Sequence, residues 1–306
     1  MNSEPIIEED PLVRELSESL MDEVVGAVGL PKNDLTRAFM RRIVGNPASR
    51  LAEIGVKFER LIAEKGMPAA CAWCLTHFCT PARVELEGEI PQEGPLLLAA
   101  NHPGAYDMLV YTSMLKRKDV CWIATEIPFL RLLPHASNHL FYTDRDDACS
   151  PTSTLRAVVS HLKPGGAMVY LASGHRDPDP AVFPGAEKGI DDWLNVYELL
   201  FNYVPELKVQ PVIASGIVSE YWARHRITRL RRKQIDRHRL AEFGQVISQL
   251  LNPGKLLISP AVSFGKAVSR DDLLREKTGE DIQAGIIGLG KELLRSHAQH
   301  FGCAYL

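Results

Sequence analysis

Leu96-Leu97-Leu98-Ala99-Ala100-Asn101-His102-Pro103-Gly104-Ala105-Tyr106-Asp107 decides the fold. Its first five residues are an apolar run of strand length. Pro103-Gly104 turns the chain, and Asp107 opens a segment that reads as helix through Met108, Leu109, Met114 and Leu115. A strand that turns into a helix is the repeating unit of an α/β sheet, and such sheets place ligands and chemistry at these strand ends. Here the strand end carries a histidine and a carboxylate. A carboxylate beside an imidazole keeps one ring nitrogen protonated and stabilises the imidazolium, so the other nitrogen can take a proton from an attacking hydroxyl. Taken alone, His102 reads equally well as a structural histidine and Asp107 as a carboxylate favoured by a helix dipole. Position at a strand end adds weight to the catalytic reading.

Outward from this stretch, short β-rich runs alternate with helical ones from Arg83 onward. The expected strands are Val84 to Glu87, Leu96 to Ala100, Val120 to Thr125, Leu140 to Tyr142, Ala167 to Ala172, Val209 to Ile213, Leu256 to Ser259 and Val262 to Phe264. Ser150-Pro151 starts a helix ending at Gly165-Gly166, and another is expected over Ala186 to Tyr203. The first 80 residues read as helices. One runs from an Asp10-Pro11 start through Leu12, Leu16, Leu20 and Val24 to Val28, with Gly29 past its end. A second is capped by Asn33 or Asp34 and runs through Leu35, Phe39 and Ile43. Ser49 caps a third through Leu51, Ile54, Phe58 and Leu61, and Pro68 and Pro81 bracket a short fourth. The expected fold class is therefore α/β, with a mixed, largely parallel sheet flanked by helices. A small all-helical domain (1–80) precedes an α/β domain (81–306).

Composition narrows the function classes. With 306 residues, 45% hydrophobic, the chain can build a sizeable core. A formal net charge of -3 argues against a surface devoted to nucleic acid. The acidic start Met1-Asn2-Ser3-Glu4-Pro5 lacks a basic, apolar signal segment. No window approaches the ~18 apolar residues of a spanning helix, so the expected location is cytoplasmic, with any membrane contact peripheral and at the inner surface. Six cysteines without a signal segment read as reduced thiols. Cys71, Cys74 and Cys79 lack a second ligand pair at finger spacing, so no metal site is expected. The run from Trp222 to Leu240 sets Arg224, Arg226, Arg229, Arg231, Arg232, Lys233, Arg237 and Arg239 against Asp236 alone. It reads as a helical face for an anionic membrane or an acidic partner protein, or as a merely solvated helix. Sparse aromatic residues argue against nucleic acid.

Four blocks follow one another in order. Asn101-His102 with Asp107 comes first, then Leu140-Phe141-Tyr142-Thr143-Asp144-Arg145. Next are Tyr170-Leu171-Ala172-Ser173-Gly174-His175-Arg176-Asp177 and Val209-Gln210-Pro211-Val212-Ile213. This ordered set resembles the glycerolipid acyltransferase family, from about Val84 to the C-terminal helix. Within that family the layout is most similar to the soluble plastid-type glycerol-3-phosphate acyltransferases. The family pattern Asn-His-x4-Asp is matched by Asn101, His102 and Asp107. Ser173-Gly174-His175-Arg176-Asp177-Pro178-Asp179-Pro180 is similar to the plastid third block but lacks its second arginine, and Asp144-Arg145 stands where those enzymes carry a Lys-His pair.

The resemblance implies transfer of a fatty acyl group from an acyl-CoA or acyl carrier protein thioester to a hydroxyl of glycerol 3-phosphate or a related lipid precursor. His102 would be the base and Asp107 its orienter. Asn101, Arg145, Ser173, Gly174, His175 and Arg176 would bind substrate, with the arginines on an anionic head group. No cofactor is implied beyond the thioester co-substrate, and no metal. Amides of the Pro103 to Ala105 turn, or around Gly174, would meet the oxyanion. The changed third block leaves two alternatives open: a non-phosphate acceptor such as a sugar, or an inactive lipid-binding homologue. A serine nucleophile at Ser173 is disfavoured, because the segment lacks the first glycine of a nucleophile elbow.

Overall fold

A computed structural model describes residues 10–27, 34–125, 127–143, 151–276 and 281–306. The elements in order are α1 (Pro11–Ala27), α2 (Asp34–Lys65), α3 (Met67–Leu75), β1 (Arg83–Leu86), β2 (Leu96–Ala100), α4 (Asp107–Ser113) and β3 (Val120–Thr125). Then come α5 (Pro128–Arg131), α6 (Pro134–Ser137), β4 (Leu140–Thr143), α7 (Pro151–Leu162), β5 (Ala167–Leu171), α8 (Ala186–Asp191), α9 (Tyr197–Tyr203) and β6 (Lys208–Ser215). The chain closes with α10 (Glu220–Ala223), a 3-10 turn (Arg226–Leu230), α11 (Gln234–Leu251), β7 (Ala261–Phe264), α12 (Arg270–Glu276) and α13 (Ile282–Phe301).

The strands form one sheet in the order β1-β7-β6-β2-β5-β3-β4. Every neighbouring pair is parallel except β6 with β7. All five residues of β2 are buried because β5 and β6 flank the strand and helices cover both faces, which is why it reads as a continuous apolar run. Its side chains alternate between two cores. Leu97 and Ala99 join Met168, Tyr170, Val209 and Ile213 beneath α7, α8, α9 and α13. Leu96, Leu98 and Ala100 join Val169, Val212 and Ala214 against α3 and α4 on the other side.

Three expectations are corrected. The second and third N-terminal helices are one, α2, which continues through Pro47. Proline removes a backbone donor and ordinarily breaks a helix. Here packing overrides it: Ala48 is buried with Met21 and Val25 of α1, beside Ile247 of α11. The helix expected over Ala186 to Tyr203 is split into α8 and α9. Between them Trp193 is buried, and Leu194 N–H donates to the Ala172 carbonyl at 2.8 Å, tying this segment to the end of β5. Leu256 to Ser259 forms no strand; Ile258 makes one isolated bridge to Cys79. Among the described residues no helix is long and apolar enough to cross a membrane.

Candidate active site

The carboxyl ends of β2, β5 and β6 lie side by side, and the loops leaving them build the site. Asn101, the first residue past β2, is buried and spends its side chain on the protein. Its Nδ2 donates to the Ala214 carbonyl at 2.9 Å, and its Oδ1 accepts from Ala214 N–H at 2.8 Å and from the Tyr111 hydroxyl at 2.7 Å. It clamps β2 to β6 and α4, so its side chain is not directed at a ligand.

His102 follows, its side chain 23% exposed beside a buried Asp107 at the start of α4. Asp107 Oδ2 lies 2.6 Å from His102 Nδ1 and also accepts from Gly104 N–H at 3.1 Å, while Oδ1 accepts from Met108 N–H at 2.6 Å. A carboxylate only accepts, so Nδ1 carries the proton and Nε2 carries the lone pair. The turn between them is tight: a Cβ on Gly104 would stand 2.3 Å from Ile217 Cγ2.

The loop after β5 is zipped to this turn. Asp177 Oδ2 accepts from His102 N–H at 2.8 Å, and Asp177 N–H donates to the His102 carbonyl at 2.9 Å. Ser173 is buried, and its Oγ lies 2.8 Å from the His175 carbonyl and 3.0 Å from Asp177 Oδ2, so it stiffens the loop from within. Gly174 takes φ +70°, a left-handed conformation that favours glycine. His175 is half exposed, with Nε2 3.8 Å from Asp192. Burial raises the Asp177 carboxyl above its ordinary range, partly opposed by the hydrogen bonds from His102 and Ser173. The Gly104 and Gly174 amides, expected to be free for an oxyanion, are already committed to Asp107 and to the Leu171 carbonyl.

Arg176 comes back over the histidine. Its Nη1 is 2.9 Å from His102 Nε2 and 3.2 Å from Nδ1. A point that close to both ring nitrogens cannot lie in the ring plane without striking the carbon between them. The guanidinium therefore stacks on the imidazole face, and the in-plane lone pair of Nε2 stays open. Arg176 Nη2 forms an ion pair with Glu242 Oε2 at 2.9 Å. Arg145 lies outside the described residues.

α11 supplies residues that the sequence reading did not single out. His238, Glu242, Gln245 and Gln249 recur at helical spacing on one buried face. His238 Nε2 donates to the Pro103 carbonyl at 2.8 Å, Gln245 holds Ser219 N–H and the Ile217 carbonyl, and Gln249 accepts from the Tyr106 hydroxyl at 2.7 Å. This helix thus holds the turn that carries the histidine. The signal was a polar stripe inside a helix, masked by the surrounding arginines.

Beside the pair opens a cavity of about 440 Å³. Arg176, Arg239 and Glu242 are its charged lining, and Leu20, Pro47, Ala48, Leu51, Ala105, Phe243, Val246, Ile247 and Leu250 complete it. Its size falls in the ordinary range for small-molecule sites, ~300–1,000 Å³. Cys71, Cys74 and Cys79 are buried away from it; burial pushes the thiols of Cys74 and Cys79 up to about 12. Among the described residues no cluster of three or more metal-ligating side chains occurs.

Fold and site define an α/β protein with a histidine-aspartate pair at the carboxyl ends of its parallel strands. Residues 82–191, which include His102, Asp107 and the Ser173 to Asp177 loop, match the family model described as Acyltransferase. A similar solved structure is the 1-acyl-sn-glycerophosphate (LPA) acyltransferase PlsC from Thermotoga maritima. It is 14% identical, covers 95% of this chain and 98% of its own, and has a TM-score of 0.42. No curated protein matches.

Proposed function

We propose that this enzyme transfers a fatty acyl group from a CoA or carrier-protein thioester to a hydroxyl of an anionic lipid precursor of the glycerol phosphate type. The observation that carries the reading is the 2.6 Å His102–Asp107 contact, next to a largely apolar cavity that Ala105 and Arg176 line. His102 Nε2 takes the acceptor's hydroxyl proton as the oxygen attacks the thioester carbonyl. Asp107 stabilises the imidazolium that forms. The C–S bond then breaks, and the proton passes from His102 to the leaving thiolate, restoring the neutral imidazole. With Gly104 and Gly174 committed, the Ala105 amide, on the exposed side of the turn, meets the oxyanion. Arg176 holds the acceptor's anionic group, and the cavity between α1, α2 and α11 takes a fatty chain.

The cationic run is not one helix: it spans α10, the 3-10 turn and the first turns of α11. Leu230 is 79% exposed among these arginines, and Tyr221 and Ile227 are exposed with it. Cations surrounding protruding apolar side chains suit an anionic bilayer surface, whose interior takes the side chains while its head groups meet the charges. Arg239 and Phe243 continue this surface into the cavity rim.

Thiol release from palmitoyl-CoA, with acylated product identified by mass spectrometry across glycerol 3-phosphate, lysophosphatidate, glycerol and sugar acceptors, tests the reading. Acceptor-dependent release with an anionic glycerol acceptor is expected. Release with none of the acceptors would favour a binding protein instead.

A further inference from the structure

We propose that Glu242 is a positioning residue of the acceptor site: it pins the guanidinium of Arg176 to the face of His102. It thereby selects acceptors whose anionic group lies a short spacer from the reacting hydroxyl. This rests on the reading of His102 as base and Arg176 as anion anchor. Glu242 lies beyond the matched segment, on α11, and is 6% exposed. Burying a carboxylate is costly unless it is paired, and this one is only half satisfied. Oε2 meets Arg176 at 2.9 Å. Oε1 is buried with no hydrogen-bond partner, because the nearby His238 Nε2, at 3.0 Å, aims its proton at the Pro103 carbonyl.

The other α11 residues that line the cavity, apart from Arg239, are the apolar Phe243, Val246, Ile247 and Leu250, so the cavity wall itself does not call for a carboxylate here. What it supplies is a fixed end for Arg176. A long arginine side chain gives up rotamer freedom when it is held. Unheld, this one would swing into the open cavity that it lines. Held, its Nη1 stays 2.9 Å from Nε2, so an anion bound to the remaining guanidinium donors lies next to the atom that takes the hydroxyl proton. Glu242 offsets the charge of Arg176, and Arg239 leaves the cavity's charged lining net cationic.

The test uses palmitoyl-CoA as donor with glycerol 3-phosphate or glycerol as acceptor, in the wild type and in Glu242→Ala, Glu242→Gln, Arg176→Ala and His102→Ala. Glu242→Ala should raise the KM for glycerol 3-phosphate by about tenfold, and Glu242→Gln by less. The KM for glycerol 3-phosphate should rise by a larger factor than the KM for glycerol or for the donor, so preference for the anionic acceptor falls toward that of Arg176→Ala. Where turnover is too slow, the dissociation constant for glycerol 3-phosphate from calorimetry should show the same ratio. If the alanine variant unfolds, the glutamine variant carries the test.

Glu242 variants with the wild-type acceptor KM, alongside an impaired Arg176→Ala, overturn the positioning role and leave the underlying reading intact. Equal losses with both acceptors and the donor show a merely structural carboxylate and overturn it too. An Arg176→Ala variant that behaves as wild type, or no binding of glycerol 3-phosphate to the wild type, overturns the anion anchor itself. An active His102→Ala overturns the base.

Discussion

Asp177 grips the backbone of His102 from both sides, accepting its N–H at 2.8 Å and donating to its carbonyl at 2.9 Å. Two strand-end loops are thereby locked together, and the imidazole inherits its position from a residue that does not touch its ring. Hydrogen bonds to a charged group are worth about 1.5–3 kcal/mol each. Asp177→Ala should cost stability on that order in urea unfolding and lower kcat about 10–100-fold. An unchanged midpoint with unchanged kcat would sink this account of the loop.

Asp107→Asn tests tautomer control. An amide placed at Oδ2 can donate to Nδ1, which moves the ring proton to Nε2 and removes the lone pair that the reaction needs. The expected loss in kcat is about 10²–10⁴-fold, with the far-UV spectrum unchanged. Retained turnover in a folded variant would show that the carboxylate does not set the tautomer.

Gly104→Ala tests the tightness of the turn. Its Cβ would stand 2.3 Å from Ile217 Cγ2, and overpacking of this kind costs about 1–3 kcal/mol. Both stability and kcat should fall, and the double variant Gly104→Ala/Ile217→Ala should recover part of each. No recovery in the double variant would place the defect elsewhere.

His297 ties stability to pH. It is buried between Ser215 Oγ and Ser263 Oγ, each 2.8 Å away, and burial pushes its pKa from 6.5 down to about 4. Between these values the unfolded chain binds a proton that the folded one refuses. Its contribution is therefore complete above pH 6.5 and is lost as pH falls toward 4, by about 3 kcal/mol in all. The raised carboxyls of Asp177 and Asp179 run the opposite way, losing stability as pH rises through their folded values. Comparing the wild type with His297→Gln isolates the histidine: the variant's unfolding free energy should fall less between pH 6.5 and 4.5. Parallel curves would contradict the assignment.

The cationic surface makes a separate prediction. Leu230→Asp, at a position 79% exposed, should weaken binding to phosphatidylglycerol vesicles while leaving thermal stability unchanged. Wild-type binding should fall as salt rises. Salt-independent binding, or binding to an acidic carrier protein with none to vesicles, would reassign the surface.

Much of this was legible in the sequence, and the reasons for the rest are physical. β2 is legible to the residue because a strand buried on both faces is uniformly apolar, β3 reads as a β-rich run although only Val120 and Cys121 are buried, and His102 and Asp107 meet as their spacing and turn suggest. The sequence divides α2 because Ser49 reads as the cap of a new helix, whereas packing against α1 and α11 carries the helix through Pro47. Asn101, Ser173 and Asp177 carry the same polar groups whether they face a ligand or the backbone, and only the folded chain shows them serving the backbone. Glu242 is 140 positions beyond His102, and nothing local ties it to Arg176.

The central claim is that His102 is the base of an acyl transfer. The most direct measurement is the rate of acceptor-dependent thiol release from palmitoyl-CoA by His102→Ala, beside its thermal unfolding. The account predicts release lowered by about 10³-fold or more, with an unfolding midpoint within a few degrees of the wild type. Near-normal release by a folded His102→Ala would contradict it.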